Sequence, residues 1–200
     1  MPIDRDDRDD VLLRRSARGD HGAFELLYRR YQAPLYRFAI RMTGHAWAAE
    51  EIVQEVFITL VREPAKFDSK RGTLGGFLYG VARNRVMKHL ERTPRNLSLA
   101  DESENGFSPN ALESKELTPV EWTELRERRS RVRAAVLELP VEFREAIVLC
   151  ELEEMSYEEA ATALDCPIGT VRSRLHRGRA LLLAKLEMVR EVPRRANAGR

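Results

Sequence analysis

The chain has 200 residues, of which 43% are hydrophobic, 33% charged and only 7% aromatic, with a net charge of +2. This is the composition of a soluble globular protein with room for one or two cores, and it excludes a polycation of the histone type, a disordered tail and a membrane protein. No apolar run approaches the roughly 18 residues of a membrane helix, and the start, with Asp4, Asp6, Asp7, Asp9 and Asp10, lacks the basic and apolar parts of a signal peptide; the protein is expected to stay in the cytoplasm.

Nearly every periodic stretch has helical spacing and none alternates as a strand would, which predicts an all-α protein. A first block spans residues 10–95. Ala23, Phe24, Leu27, Tyr28 and Tyr31 form one apolar stripe, Leu35, Phe38, Ala39 and Met42 a second, and Ile52, Val53, Val56, Phe57 and Leu60 a third. Three amphipathic helices with short connections predict a bundle. A fourth helix, from near Leu74 to about Leu90, places Phe77, Leu78, Val81 and Val86 on apolar positions, after a polar loop (67–76, FDSKRGTLGG) with three glycines and two cations.

The character then changes. Residues 96–119 are rich in Ser, Asn, Pro and acids, with Asp101, Glu102, Glu104, Glu113 and Glu116; such a segment buries too little to fold alone and reads as a flexible acidic linker. A second helical block spans 120–186, and a short basic tail, with Arg190, Arg194, Arg195 and Arg200, spans 187–200.

The end of the second block, SYEEAATALDCPIGTVRSRLHRGRALLLAKL (156–186), predicts a helix-turn-helix that docks on DNA. Ser156 as N-cap with Glu159 three residues on forms a capping-box pattern. Pro167 ends any helix through Cys166, and Asp165 tolerates a left-handed turn. Ile168, Val171 and Leu175 fall on one stripe of the second helix, facing Ala160, Ala161 and Leu164 of the first. Thr170, Ser173, His176 and Arg177 then point away, with Arg172 and Arg174 on the flanks, and no acid occurs between residues 166 and 185. That outward face has the donors that phosphates and base edges accept.

Two cysteines, Cys150 and Cys166, with no partner motif predict neither a disulfide framework nor a structural zinc, and are expected to act as small buried hydrophobes. No metal or cofactor is called for by any motif. Four scattered histidines (His21, His45, His89, His176), no Gly-rich phosphate loop and no nucleophile motif argue against an enzyme.

Taken with the other block, the motifs resemble a known family. AEEIVQEVFITLVRE (49–63), GTLGGFLYGVARNRVMKHLER (72–92) and the helix-turn-helix look, in that order, like the core-binding, promoter-melting and upstream-element-binding segments of an extracytoplasmic-function (group IV) RNA polymerase sigma factor of the sigma-70 family. The resemblance implies a four-helix region 2 domain (10–95) and a helix-turn-helix region 4 domain (120–186) on either side of the linker. It assigns Glu50, Glu51, Gln54 and Glu55 to the clamp helices of the polymerase largest subunit. Phe67, Ser69, Lys70, Arg71, Arg83, Asn84, Arg85 and Lys88 would serve the minus-ten element, the loop around Phe67 capturing a flipped base to offset unstacking. Thr170, Arg172, Ser173, Arg174, His176 and Arg177 would serve the minus-thirty-five element. Phe77 stands where the family usually has Trp, Lys88 where an Asp is common, and Asp165 where the turn usually has Gly. An anti-sigma factor is the expected regulator, and the acidic linker would follow the RNA exit path by mimicking nucleic acid. The alternative reading, a free-standing helix-turn-helix regulator, accounts for the second block but gives no reason for AEEIVQEVF or for the ARN-containing helix.

Overall fold

The computed structural model describes residues 8–93 and 118–191; the linker acids, the first acidic residues and the final arginines of the tail lie outside them. The described chain is helical throughout: α1 (Asp9–Ser16), α2 (His21–Thr43), α3 (Ala46–Arg62), a 3-10 turn (Pro64–Lys66), α4 (Leu74–Arg92), α5 (Pro119–Leu137), α6 (Val141–Ile147), a π turn (Val148–Leu152), α7 (Tyr157–Leu164) and α8 (Ile168–Glu191). No strand occurs among the described residues.

Three details differ from the sequence expectation. The stripes at 23–31 and 35–42 belong to one helix, α2, which runs through Pro34. Proline inside a helix costs about 3 kcal/mol in lost hydrogen bonding and steric clash. The apolar stripe crosses it without interruption, however, and Leu27, Leu35, Phe38 and Met42 are all fully buried, which offsets that cost. The expected helix from near Leu74 is α4, and a further helix not separated in the sequence reading, α1, brings the first half to four: its Leu12 and Leu13 are buried against the bundle and its Asp9 binds Arg30 and the Tyr31 hydroxyl. At the other end α8 continues to Glu191, past residue 186, taking in the first residues assigned to the tail.

Local caps explain most other boundaries. The Asp20 carboxylate accepts the Ala23 N–H at 3.1 Å at the start of α2, and Gly44 closes that helix with φ 80°. Thr73 accepts the Gly76 N–H at 3.1 Å at the start of α4. Thr118 and Glu121 form a capping box on α5.

The two halves do not hang apart on their tether. A single apolar core runs from Leu12, Phe38, Val56 and Leu78 of the first half into Val136, Leu149, Ala160, Leu164 and Val171 of the second. Polar contacts reinforce the seam. The Arg144 side chain, buried on α6, donates to the Met42 carbonyl at 2.5 Å and to the Leu139 carbonyl at 3.1 Å. A cation set on the last carbonyls of α2 is favourable to that helix's dipole, and here it comes from the other half of the molecule.

Candidate nucleic-acid interface

The helix-turn-helix is built from local signals. Ser156 accepts the Glu159 N–H at 3.2 Å while the Glu159 carboxylate receives the Ser156 N–H at 3.1 Å, so the capping box starts α7 as read. Asp165 takes the left-handed conformation (φ 49°, ψ 51°) that ends it. Val171 and Leu175 are buried under α8, and Ile168 is half-buried beside them. Across from them, Ala160, Ala163 and Leu164 of α7 are buried, while Ala161 is only partly so.

On the opposite side of α8, Arg172, Ser173, His176 and Arg177 are exposed, and Thr170 and Arg174 are half-buried. The Ser173 hydroxyl donates to the Thr170 carbonyl at 3.0 Å, and the Arg172 guanidinium lies 5.7 Å from the centre of the Tyr157 ring. Tyr157 therefore pre-orients one cation of the face through a cation–π contact. Arg179, two turns on, pairs with Glu151. The result is a rigid cationic ridge with its inner side packed and its outer side open to a phosphate backbone.

The first-half face is arranged differently. A cavity of about 470 Å³ brings together Phe67, Arg71, Arg83 and Asn84, with Phe77 and Gly76 of α4 behind them. The Phe67 and Phe77 rings meet at 5.8 Å between centroids. Gly72 has φ 149° and lies so close to Thr162 of α7 that a Cβ would sit 3.2 Å from its Cγ2; the loop can turn here only with glycine. Ser69, Lys70 and Lys88 are exposed outside this cavity, and Arg85 pairs with Glu55 at 2.7 Å. The expected melting residues thus divide into a cavity set and a surface set. The cavity has a second wall from α7, namely Thr162, Ala163 and Asp165. Arg83 itself is held by Glu145 of α6 at 2.6 Å.

On α3, Glu50, Glu51 and Gln54 are exposed and Glu55 is half-buried in its pair with Arg85. The same outer stripe carries apolar side chains that the reading of charges missed. Trp47, Ile58 and Val61 are 53%, 47% and 56% exposed. Their spacing from Trp47, i+11 and i+14, brings them onto the line of Glu51 and Gln54, so a wheel drawn over the whole helix would have found them. The stripe thus combines exposed apolar side chains with acids along its border.

Burial pushes the Cys150 thiol up to about 11, against a small contribution from Arg179, so it stays protonated and unreactive near neutral pH. Among the described residues no group of three or more His, Cys, Asp or Glu side chains is placed to hold a metal ion. No described helix is long and apolar enough to cross a membrane.

Comparison with known proteins agrees with the motifs. Residues 27–96 match the Sigma-70 region 2 family and residues 129–182 the Sigma-70, region 4 family. The RNA polymerase sigma-H factor of Pseudomonas aeruginosa is 34% identical over 93% of this chain and 98% of its own. The ECF RNA polymerase sigma-E factor of Escherichia coli K12 is 37% identical over 90% of this chain and 94% of its own. In three dimensions the chain is similar to CnrH, solved in complex with the cytosolic domain of CnrY, with a TM-score of 0.68 at 25% identity over 91% of this chain and 99% of that one. The sigma factor RpoE of Bartonella quintana, solved with the anti-sigma factor NepR, shares the fold at a TM-score of 0.60 and 24% identity, over 82% of this chain and 96% of that one. The chain belongs to the extracytoplasmic-function group of the sigma-70 family, the RNA polymerase subunits that bind the core enzyme and direct promoter recognition and transcription initiation.

Proposed function

We propose a division of labour among three faces of a non-catalytic initiation subunit acting in the cytoplasm, where the polymerase works. The outer stripe of α3 docks on the clamp helices of the polymerase largest subunit: Glu51 and Gln54 confer register, Glu50 and Glu55 flank them, and Trp47, Ile58 and Val61 supply the buried apolar area. Charge at the rim speeds encounter and apolar anchors slow release. The loop before α4 and the helix itself act on the minus-ten element. Phe67 and Phe77 offer stacking surfaces for a captured base, Asn84 an amide for its edge, and Ser69, Lys70, Arg71, Arg83, Arg85 and Lys88 the contacts to the strand's backbone. The ridge of α8 reads the minus-thirty-five element through Arg172, Ser173, Arg174, His176 and Arg177, with Thr170 at its start on a phosphate. The proposed domain limits are 10–95 and 120–186, with 96–119 as the connecting linker.

The observation that supports this reading best is the geometry of α7 and α8, in which a stacked Arg172, an exposed Arg177 and the absence of any acid on 166–185 present a cationic ridge on a packed hairpin. Regulation by an anti-sigma factor is the proposed control, since the Bartonella quintana relative was solved with one. The test of the assignment is capture on immobilised core polymerase. Replacing Glu51 and Gln54 together with Lys should abolish capture while helical content is unchanged, whereas Arg172→Ala with Arg177→Ala should leave capture intact and remove binding to upstream promoter duplex. Retained capture in the α3 variant would refute the docking face.

A further inference from the structure

Helix α5 carries a face outside the three described above. Trp122, Arg126, Arg129 and Arg133 stand at i, i+4, i+7 and i+11, which sets them on one line of the helix, roughly 16 Å long at 1.5 Å per residue. All four are exposed, Trp122 to 57%. The apolar side that anchors the helix is a different one: Ala135 and Val136 are buried and Leu125 and Val132 half-buried. The acids of the helix, Glu121, Glu124 and Glu127, also lie away from the line. Glu121 closes the capping box with Thr118, and Glu127 pairs with Arg131 at 3.0 Å. Neither Arg129 nor Arg133 has an ion-pair partner among the described residues.

An acid-free row of arginines headed by an exposed indole suits a polyanion with flat faces. A docked protein would need contiguous apolar area around the tryptophan. Val120, 67% exposed, is the other exposed large apolar side chain of α5, and its position two residues earlier puts it on the opposite side of the helix. A duplex keeps its bases stacked inside and would engage the arginines alone, leaving Trp122 unused. A single strand meets both chemistries, with phosphates in a row for the guanidinium groups and an unstacked base for the indole. The position in the chain narrows the choice further. α5 opens at Thr118, directly after the acidic linker. A linker that follows the RNA exit path delivers α5 to the mouth of that path, where the single strand at hand is the transcript.

We propose that the line from Trp122 to Arg133 is a further nucleic-acid site, which holds the emerging transcript as a single strand, Trp122 stacking on a base while Arg129 and Arg133 take successive phosphates. The transcript as occupant rests on the expected course of the linker; the single-strand site does not.

The test begins with the full chain free of polymerase. Trp47→Phe leaves Trp122 as the sole tryptophan. Titration with an oligouridine of about 12 nucleotides should quench its emission, duplex DNA of equal length should not, and excess duplex should not reverse the quenching. In the unaltered background, Trp122→Ala should weaken binding of the labelled oligouridine about tenfold, and Trp122→Phe, which keeps a ring, should restore most of it. Arg129→Ala with Arg133→Ala should weaken binding to a similar extent and, by removing two phosphate contacts, reduce the slope of log affinity against log salt by about 1.4. No quenching by the oligouridine, or quenching that duplex reverses, overturns the site. So does unaltered RNA affinity in these variants; a Trp122→Ala chain that instead loses capture on core polymerase would show that the face docks on protein. The occupant is tested with core polymerase and the unaltered chain. Transcripts of increasing length with a photoreactive 5′ end should cross-link to residues 119–137 once that end leaves the enzyme. Quenching by free oligouridine without such a cross-link overturns the transcript as occupant, and with it the course of the linker.

Discussion

Helices α4 and α8 carry the same chemistry, arginines on one side of an amphipathic helix, in opposite states. On α4, Arg83 is bound by Glu145 and Arg85 by Glu55. On α8, Arg172 leans on an aromatic ring, Arg177 is exposed, and the ridge faces solvent. Both carboxylates on α4 come from other helices, and Glu145 is 62 positions away in sequence. The difference shows that a cationic helix face is defined by what packs against it as much as by its own residues. A reading of one helix at a time ranks the two alike.

The contrast can be broken at several points. The largest expected effect is on the shared core. Phe38 is fully buried and packs edge-on against Tyr79, with ring centroids 5.4 Å apart, and Phe38→Ala should cost about 3–5 kcal/mol. If the halves share one core, urea denaturation will show a single transition moved to lower concentration; two separated transitions would mean that the halves fold independently. Next is the open ridge. Arg177→Ala should weaken binding to the upstream promoter duplex by about 1–3 kcal/mol and relax the preference for it over mismatched duplexes, read by titration against both. The same substitution should leave single-stranded binding almost unchanged, which separates the two helices functionally. Smaller again is the cap of α7: Ser156→Ala removes one half of a capping box and should cost about 1 kcal/mol, measured from thermal unfolding.

The smallest effect is a pH dependence at the seam. Burial and the nearby His45 hold His89 below its ordinary value of 6.5. A histidine depressed in the folded state contributes stability above its unfolded value, and that contribution is lost as the pH falls through 6.5 toward the folded value, because the unfolded chain takes up the proton first. The melting temperature should therefore decline slightly between pH 7.5 and pH 5.5, in part through this group, and His89→Asn should flatten the slope. A histidine NMR titration with a midpoint at or above 6.5 for His89 would contradict the argument.

The hairpin of α7 and α8 was almost fully legible in the sequence because its determinants are local: a capping box spanning four residues, an Asp able to turn left-handed, and a proline two residues later. The outer stripe of α3 was half legible, since the reading of Glu50, Glu51 and Gln54 passed over Trp47 before them and Ile58 and Val61 after them. The seam was not legible at all. Glu145 and Glu153 look in sequence like any solvated acids, and only their distance in space from Arg83, Arg37 and Arg41 makes them unusual. α1 was missed as a separate helix because eight residues give barely two turns of pattern, and α2 was divided because its apolar positions read as two stripes, which the buried tertiary contacts on both sides of Pro34 join into one helix.

One further consequence follows from the length of α8. Its 24 residues make a strut of roughly 36 Å, and the positions of Arg172, His176, Arg179 and Leu183 recur every three or four residues along one line of it. Leu183 is 60% exposed and stands roughly 16 Å beyond Arg172 at almost the same angle around the axis. The strut therefore couples two chemistries mechanically. Any surface that seats Leu183 fixes the azimuth of the cationic end, and DNA held at that end fixes in turn where Leu183 can be met.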